Sequence, residues 1–150
     1  MCGIFGTIPA HVIDESIVKR LAQYAKQRGR DSSGLLVERP HAYEIFRAET
    51  TIDWLLKQVD VTDSHFVMGH SRLMTNGSSD NQPIYRDGIC IIHNGIVVND
   101  EALWKESSKD RIQESDSEVI AAIIDAQLER GQSIEEAGFH ALQVCKGTIS

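Results

Sequence analysis

The chain has 150 residues, 41% of them hydrophobic and 25% charged, and a formal net charge of −7. That is enough chain for one compact domain with a core and short for two, and the acidic balance argues against nucleic-acid binding, which needs a basic face to displace counterions. No apolar run approaches the roughly 18 residues of a membrane-spanning helix, and Gly3, Gly6 and Pro9 interrupt any secretory leader, so the reading is a cytoplasmic protein with no membrane partner.

Cys2–Ile8 is short, apolar and glycine-containing, which predicts a buried strand with close backbone approaches. Ile13, Ile17, Leu21 and Tyr24, with Val18, Ala22 and Ala25, recur at helical spacing and predict a helix from Asp14 to Gln27, closed by Gly29. Leu35–Glu38 and Ala42–Arg47 read as strands around a Pro40-His41 turn. Ile52, Leu55, Leu56 and Val59 predict a short helix, and Phe66–Ser71 another strand. Residues 76–83 form a polar, glycine-containing loop. Ile89–His93 is a continuous apolar strand halted at Asn94-Gly95, and Ile96–Val98 resumes it. Ser115 and Glu118 have the spacing of a capping box, after which Val119, Ile120, Ile123, Ile124 and Leu128 keep helical spacing as far as Gly131. Ser133 with Glu136 makes a second such box, before a helix ending near Gly147. Runs of strands with helices toward both ends predict an α/β layered domain with largely antiparallel sheets.

Cys2, Cys90 and Cys145 are an odd set without a close pair, so neither a disulfide framework nor a zinc site is expected. Cys90, inside Ile89–Ile92, and Cys145, at the end of an amphipathic pattern, read as buried core thiols. Cys2 differs by position. Once Met1 is removed, one residue carries both a thiol and a free α-amine, groups that ordinarily titrate at about 8.5 and about 7.7–8.0. Nucleophile and general base then come in a single residue. Taken alone, a cysteine at position 2 is more often incidental. His70 and His93 read as structural hydrogen-bonders, and His11, His41, His65 and His140 have no ligand spacing, so no metal is expected. The glycines form no phosphate-binding fingerprint, and no cofactor is expected.

Five segments point further. The opening Met1-Cys-Gly-Ile-Phe-Gly6 resembles the start of class II glutamine amidotransferases, members of the N-terminal nucleophile hydrolases. Arg28-Gly-Arg-Asp-Ser-Ser-Gly34 is similar to their Arg-Gly-x-Asp-Ser-x-Gly element, and Gly69-His-Ser-Arg-Leu-Met-Thr-Asn-Gly77 to their glutamine loop. His93-Asn-Gly95 resembles the oxyanion element, and Ser115-Asp-Ser-Glu118 a late motif carrying a substrate-binding aspartate. The motifs occur in family order and span essentially the whole chain. Asp-Ser in the second and His-Asn-Gly-Ile in the fourth most resemble the glutaminase domain of the glutamine–fructose-6-phosphate aminotransferase branch.

The resemblance implies a four-layer αββα sandwich with antiparallel sheets, and hydrolysis of L-glutamine to L-glutamate and ammonia through a γ-glutamyl thioester on Cys2. Free glutamine is a zwitterion with an amide tail, so its site needs a cation, an anion and an oxyanion hole. Arg72 matches the arginine that takes the α-carboxylate, for which a planar guanidinium fork is suited. Asp116 matches the partner of the α-ammonium. Asn94, by its side-chain amide, and Gly95, by its backbone N–H, match the oxyanion donors, each such donor being worth about 10²–10³ in rate. Thr75 and Gly77 match loop positions that contact the substrate. Read without the family, an arginine ending a strand is a solvated charge, Asn94-Gly95 is a type I′ hairpin turn, and Ser115–Glu118 is plain helix capping.

Two positions depart from the aminosugar-forming branch: Leu73 stands where tryptophan is usual, and Asn76 where histidine is usual. The implied partner is a synthase domain or subunit that accepts the ammonia. The chain is expected to be one glutaminase domain over residues 1–150, lacking that partner and its own last strands from Lys146 onward, and an open sheet edge would favour a homo-oligomer. Two other readings remain open: a module that binds glutamine without hydrolysing it, and an N-terminal nucleophile amidase with another amide substrate.

Overall fold

The computed structural model describes residues 2–9, 11–73 and 81–150, and the chain divides into two compact units, Met1–Pro83 and Ile84–Ser150. In the first, β1 (Gly3–Thr7) leads to α1 (Glu15–Lys26), a hairpin of β2 (Ser32–Arg39) and β3 (Ala42–Ala48), the short α2 (Ile52–Leu55) and β4 (Val67–Arg72). The strand order is β1-β4-β2-β3 with every neighbour antiparallel. The last strand thus lies between the first two, with Ser71 opposite Gly3 on one side and Ser33 on the other.

Asp14 starts α1 by accepting the Ser16 N–H at 2.8 Å. The stripe that α1 buries is Val18, Ala22 and Ala25, whereas Ile17 and Tyr24 are exposed. Small residues on that stripe let the helix lie close to the sheet: a Cβ at Gly3 would overlap the Ala25 backbone. The helix ends at Gln27. Gly29, expected to close the helix, has no positive φ, and its role is steric, because a Cβ there would run into the backbone of Arg72 and Leu73. Phe5, Val18, Leu35, Val37, Ile52 and Val67 belong to one apolar cluster. β2 begins at Ser32, three residues earlier than Leu35, because Ser32, Ser33 and Gly34 are drawn into the ladder with β4.

The second unit contains β5 (Ile84–Arg86), β6 (Ile89–Ile91), β7 (Ile96–Val97), α3 (Asp100–Glu106), α4 (Glu118–Glu129), α5 (Ile134–Val144) and β8 (Gly147–Thr148). β5 and β6 pair through Asp87 and Gly88, whose φ values of 48° and 85° suit a type I′ turn. The hairpin therefore lies at Asp87-Gly88 and not at Asn94-Gly95, since β7 pairs with β8. β6 stops two residues short of the expected strand. Cys90 is half-buried, not a core thiol, because it shares a face with exposed Tyr85 across the hairpin. Cys145 is buried as expected, beside Val97 and Val119. α4 closes on Gly131 with φ 84°, and α5 begins with the complete Ser133–Glu136 capping box. Among the described residues, no helix is long and apolar enough to cross a membrane.

Candidate active site

In the first unit, residues of three motifs lie at neighbouring ends of β1, β4 and β2. Cys2 directly precedes β1, and carrying the register one step past Gly3↔Ser71 sets it across from Arg72, the last residue of β4. Directly opposed residues of an antiparallel pair have Cα atoms about 4.5–5.5 Å apart. Both residues are half-buried. Arg28 Nε donates to the Cys2 carbonyl oxygen at 3.3 Å. Ser71 Oγ donates to the Gly29 carbonyl at 2.8 Å, and the Asp31 N–H to the Arg72 carbonyl at 2.9 Å. The segment from Arg28 to Asp31 is therefore clasped along the end of β4, and only a glycine at position 29 permits that approach. Arg28 has no role in the sequence reading; its signal is its place at the head of the second motif.

Residues 81–83 are fastened to the same sheet. Asn81 Nδ2 donates to the carbonyl oxygens of Ser33 at 2.8 Å and Ala48 at 3.3 Å, and Arg47 Nε donates to that of Pro83 at 2.9 Å. Leu73 is exposed just past β4. Thr75, Gly77 and the divergent Asn76 lie outside the described residues.

The second unit brings the fourth and fifth motifs together. The Asn94 N–H donates to the Ser150 carbonyl at 3.0 Å. A Cβ at Gly95 would overlap the Thr148 carbonyl, so this glycine is demanded by the approach of β8 and not by a turn conformation. Asp116 Oδ2 accepts the Val97 N–H at 2.6 Å, which ties the carboxylate two residues beyond Gly95. Ser117 Oγ lies 2.7 Å from His93 Nδ1 and 3.3 Å from Asp116 Oδ1, and His93 Nε2 lies 3.2 Å from the Thr148 oxygen.

The expected capping box at Ser115–Glu118 does not form. Glu118 is 1% exposed, and its carboxylate instead accepts from Arg86 Nη1 at 2.8 Å and from the N–H groups of Ile112 at 3.1 Å and Gln113 at 2.8 Å. A buried cation outcompetes a helix terminus for a buried carboxylate. Arg86 also donates to the Asp110 carbonyl at 2.7 Å and lies 5.6 Å from the Trp104 ring centroid. The start of α4, and with it Asp116, is thereby anchored to β5. Among the described residues, no three His, Cys, Asp or Glu side chains gather as metal ligands.

A family model described as a glutamine amidotransferase domain matches residues 70–149. The chain is 31% identical over 158 residues to a glutamine–fructose-6-phosphate aminotransferase (isomerizing) of Bacillus thuringiensis subsp. konkukian, covering 100% of this chain and 26% of that one. It is 34% identical over 146 residues to the protein of that name from Bartonella henselae, covering 91% of this chain and 24% of the other. It thus spans about a quarter of the length of these curated relatives. Among solved structures, the glutamine phosphoribosylpyrophosphate amidotransferase of B. subtilis, complexed with ADP and GMP, superposes with a TM-score of 0.77 at 22% identity, over 99% of this chain and 34% of that one.

Proposed function

The chain belongs to the glutamine amidotransferase domain family, in the class II form with the layered α/β fold of the N-terminal nucleophile enzymes, and from that premise we propose that it hydrolyses L-glutamine to L-glutamate and ammonia. The Cys2 α-amine, freed by removal of Met1, takes the thiol proton, and the thiolate attacks the side-chain amide carbon. The oxygen of the tetrahedral intermediate is held by the Asn94 side chain and the Gly95 N–H. The protonated amine then gives its proton to the departing ammonia, leaving a γ-glutamyl thioester that water hydrolyses. Arg72 holds the substrate α-carboxylate and Asp116 its α-ammonium, and Thr75 and Gly77 are further substrate contacts.

The observation that supports this reading is the β1–β4 register, whose last pair, Gly3 and Ser71, adjoins Cys2 on one side and Arg72 on the other. Arg28, bonded to the Cys2 carbonyl, holds the residue through its backbone. Residues 1–150 act as the glutaminase domain, and the ammonia passes to a synthase domain or subunit; the names of the relatives support an acceptor in aminosugar formation. A cytoplasmic setting goes with it, since the mechanism requires Cys2 as a thiol.

The test is release of ammonia and glutamate from L-glutamine. Cys2→Ala and an uncleaved N-terminal extension are both expected to abolish turnover, the first by removing the nucleophile and the second by removing the free amine. Full activity in the extended protein would sink the amine as base. Amides lacking the α-carboxylate or the α-amine should not be hydrolysed, and binding of glutamine without release would mark a sensor.

A further inference from the structure

The Ser117 hydroxyl stands between two acceptors with one proton to give. The far side of the imidazole decides between them. His93 Nε2 faces the Thr148 carbonyl oxygen at 3.2 Å, and a carbonyl oxygen only accepts. For a neutral ring, Nε2 therefore carries the proton and Nδ1 is the acceptor. Ser117 donates to Nδ1 at 2.7 Å, a full bond, whereas its 3.3 Å contact leaves Asp116 Oδ1 with acceptor capacity. The other Asp116 oxygen is engaged by the Val97 N–H. Ser117 and His93 are 2% and 3% exposed, so bulk water does not substitute for either bond.

The ring and the oxyanion segment hang on the same stretch of chain. Thr148 O receives the imidazole and packs on Gly95, and Ser150 O receives the Asn94 N–H. From this geometry we infer that Ser117 is a positioning residue for the reaction proposed above. By donating to His93 it fixes the tautomer that holds the ring on Thr148, and so seats Asn94–Gly95 against β8. By the same act it keeps its proton off the Asp116 oxygen that meets the substrate ammonium. The inference rests on the glutaminase reading for its kinetic consequence, but the tautomer stands apart from it.

The experiment compares the wild type with Ser117→Ala and Ser117→Thr, each as the full chain, by glutamine kinetics and by NMR of the His93 ring nitrogens. Ser117→Ala should lower kcat about tenfold with KM changed less than about threefold, because the loss of one buried hydrogen bond falls on the oxyanion segment and spares Asp116. Ser117→Thr, which keeps the hydroxyl, should recover kcat to within about threefold. The wild-type ring should carry its proton on Nε2. A wild-type proton on Nδ1 overturns the inference without recourse to any variant, as does an unchanged kcat in Ser117→Ala or a Ser117→Thr enzyme as slow as Ser117→Ala. A wild type that releases no ammonia from glutamine sinks the glutaminase reading instead, and the ring nitrogens still report on the relay.

Discussion

The two units hold their candidate residues by different means. In Met1–Pro83, Cys2 directly precedes β1 and Arg72 ends β4 of a four-stranded sheet whose helix side is a continuous apolar cluster running from Phe5 to Val67. In Ile84–Ser150, Asn94, Gly95 and Asp116 lie outside regular structure, and the buried apolar cluster there comprises, among the described residues, Val97, Val119 and Cys145. Their positions come from polar bonds made one at a time: Glu118 to Arg86, Asp116 to Val97, His93 to Ser117, Asn99 to Lys146. A strand end is placed by its whole sheet, but a loop must be placed residue by residue. The second unit should therefore answer to single polar substitutions and to alkali where the first answers to loss of apolar volume and to acid.

The sharpest contrast is between Glu118→Ala and Leu35→Ala. Removing the Glu118 carboxylate leaves the Arg86 side chain, 4% exposed, with its partner gone and the Ile112 and Gln113 N–H groups released, an expected loss of about 3–5 kcal/mol. The 3.4 Å contact of Arg86 with Asp87 pulls toward the lower figure. Leu35→Ala empties space at a fully buried position and should cost about 2–5 kcal/mol, from lost apolar burial and the cavity left behind. The two tryptophans report separately, Trp54 from α2 and Trp104 from α3. In a Trp54→Phe background, denaturant unfolding followed by Trp104 should move most for Glu118→Ala. In a Trp104→Phe background, Trp54 should move most for Leu35→Ala. Equal displacement of both signals by either variant would erase the distinction.

The pH limits sharpen the same contrast. Burial pushes the Cys145 thiol from 9.0 to about 11, so the unfolded chain ionises first. Its contribution is complete below about pH 9 and is lost as pH rises through 11, on the order of 3 kcal/mol for two pKa units. Lys109, raised by its bonds to Asp125 and Glu129, works in the same direction at higher pH. Among the described residues, three carboxylates of the first unit are held low. Asp14 is lowered by the Ser16 hydroxyl and N–H, Asp53 by Lys26 and then Thr51, and Asp60 by the Thr62 hydroxyl and N–H. Their contribution is present above their ordinary value of 3.8 and fades as pH falls below it. Alkaline unfolding should register first at Trp104 and acid unfolding at Trp54. Cys145→Ala should flatten the stability profile between about pH 9 and 11, and a limb of undiminished steepness would remove Cys145 from the account.

What the sequence made legible follows the same division. The first unit is readable because period and burial coincide: Val18, Ala22 and Ala25 recur at helical spacing, and the strands around Pro40-His41 are bounded by a proline turn. The second is read through its motifs and misread between them. Asp87-Gly88 carries the same turn signal as Asn94-Gly95 and goes unread, although it alone makes a hairpin. α3 buries none of its residues completely, so it shows no apolar period to find. β8 is two exposed residues, defined only by pairing with β7 about fifty positions earlier, a relation no local pattern encodes. The fifth motif shows the limit most plainly. Ser115 and Glu118 have the spacing of a cap, but spacing cannot reveal that Arg86, from another element, claims the carboxylate.

Ser133 offers the finest test, because it is Ser117's counterpart at the start of the other long helix. Ser133 Oγ accepts the Glu136 N–H at 3.2 Å, and Glu136 returns the bond to the Ser133 N–H at 2.9 Å. Ser117 begins α4 without any side-chain cap, its hydroxyl being turned to His93. Ser133→Ala should therefore cost about 1 kcal/mol, the usual loss of an N-cap. It should leave glutamine turnover unchanged, because fraying at the first turn does not reach the end of α5, where Cys145 is buried and the chain passes into β8. Ser117→Ala, by contrast, should slow turnover, and it should lower the unfolding midpoint at least as far, because it takes a donor from a buried ring nitrogen. If Ser133→Ala slows turnover as much, the seating of Asn94 and Gly95 depends on the whole of α5, and the second unit positions its residues collectively, as the first does.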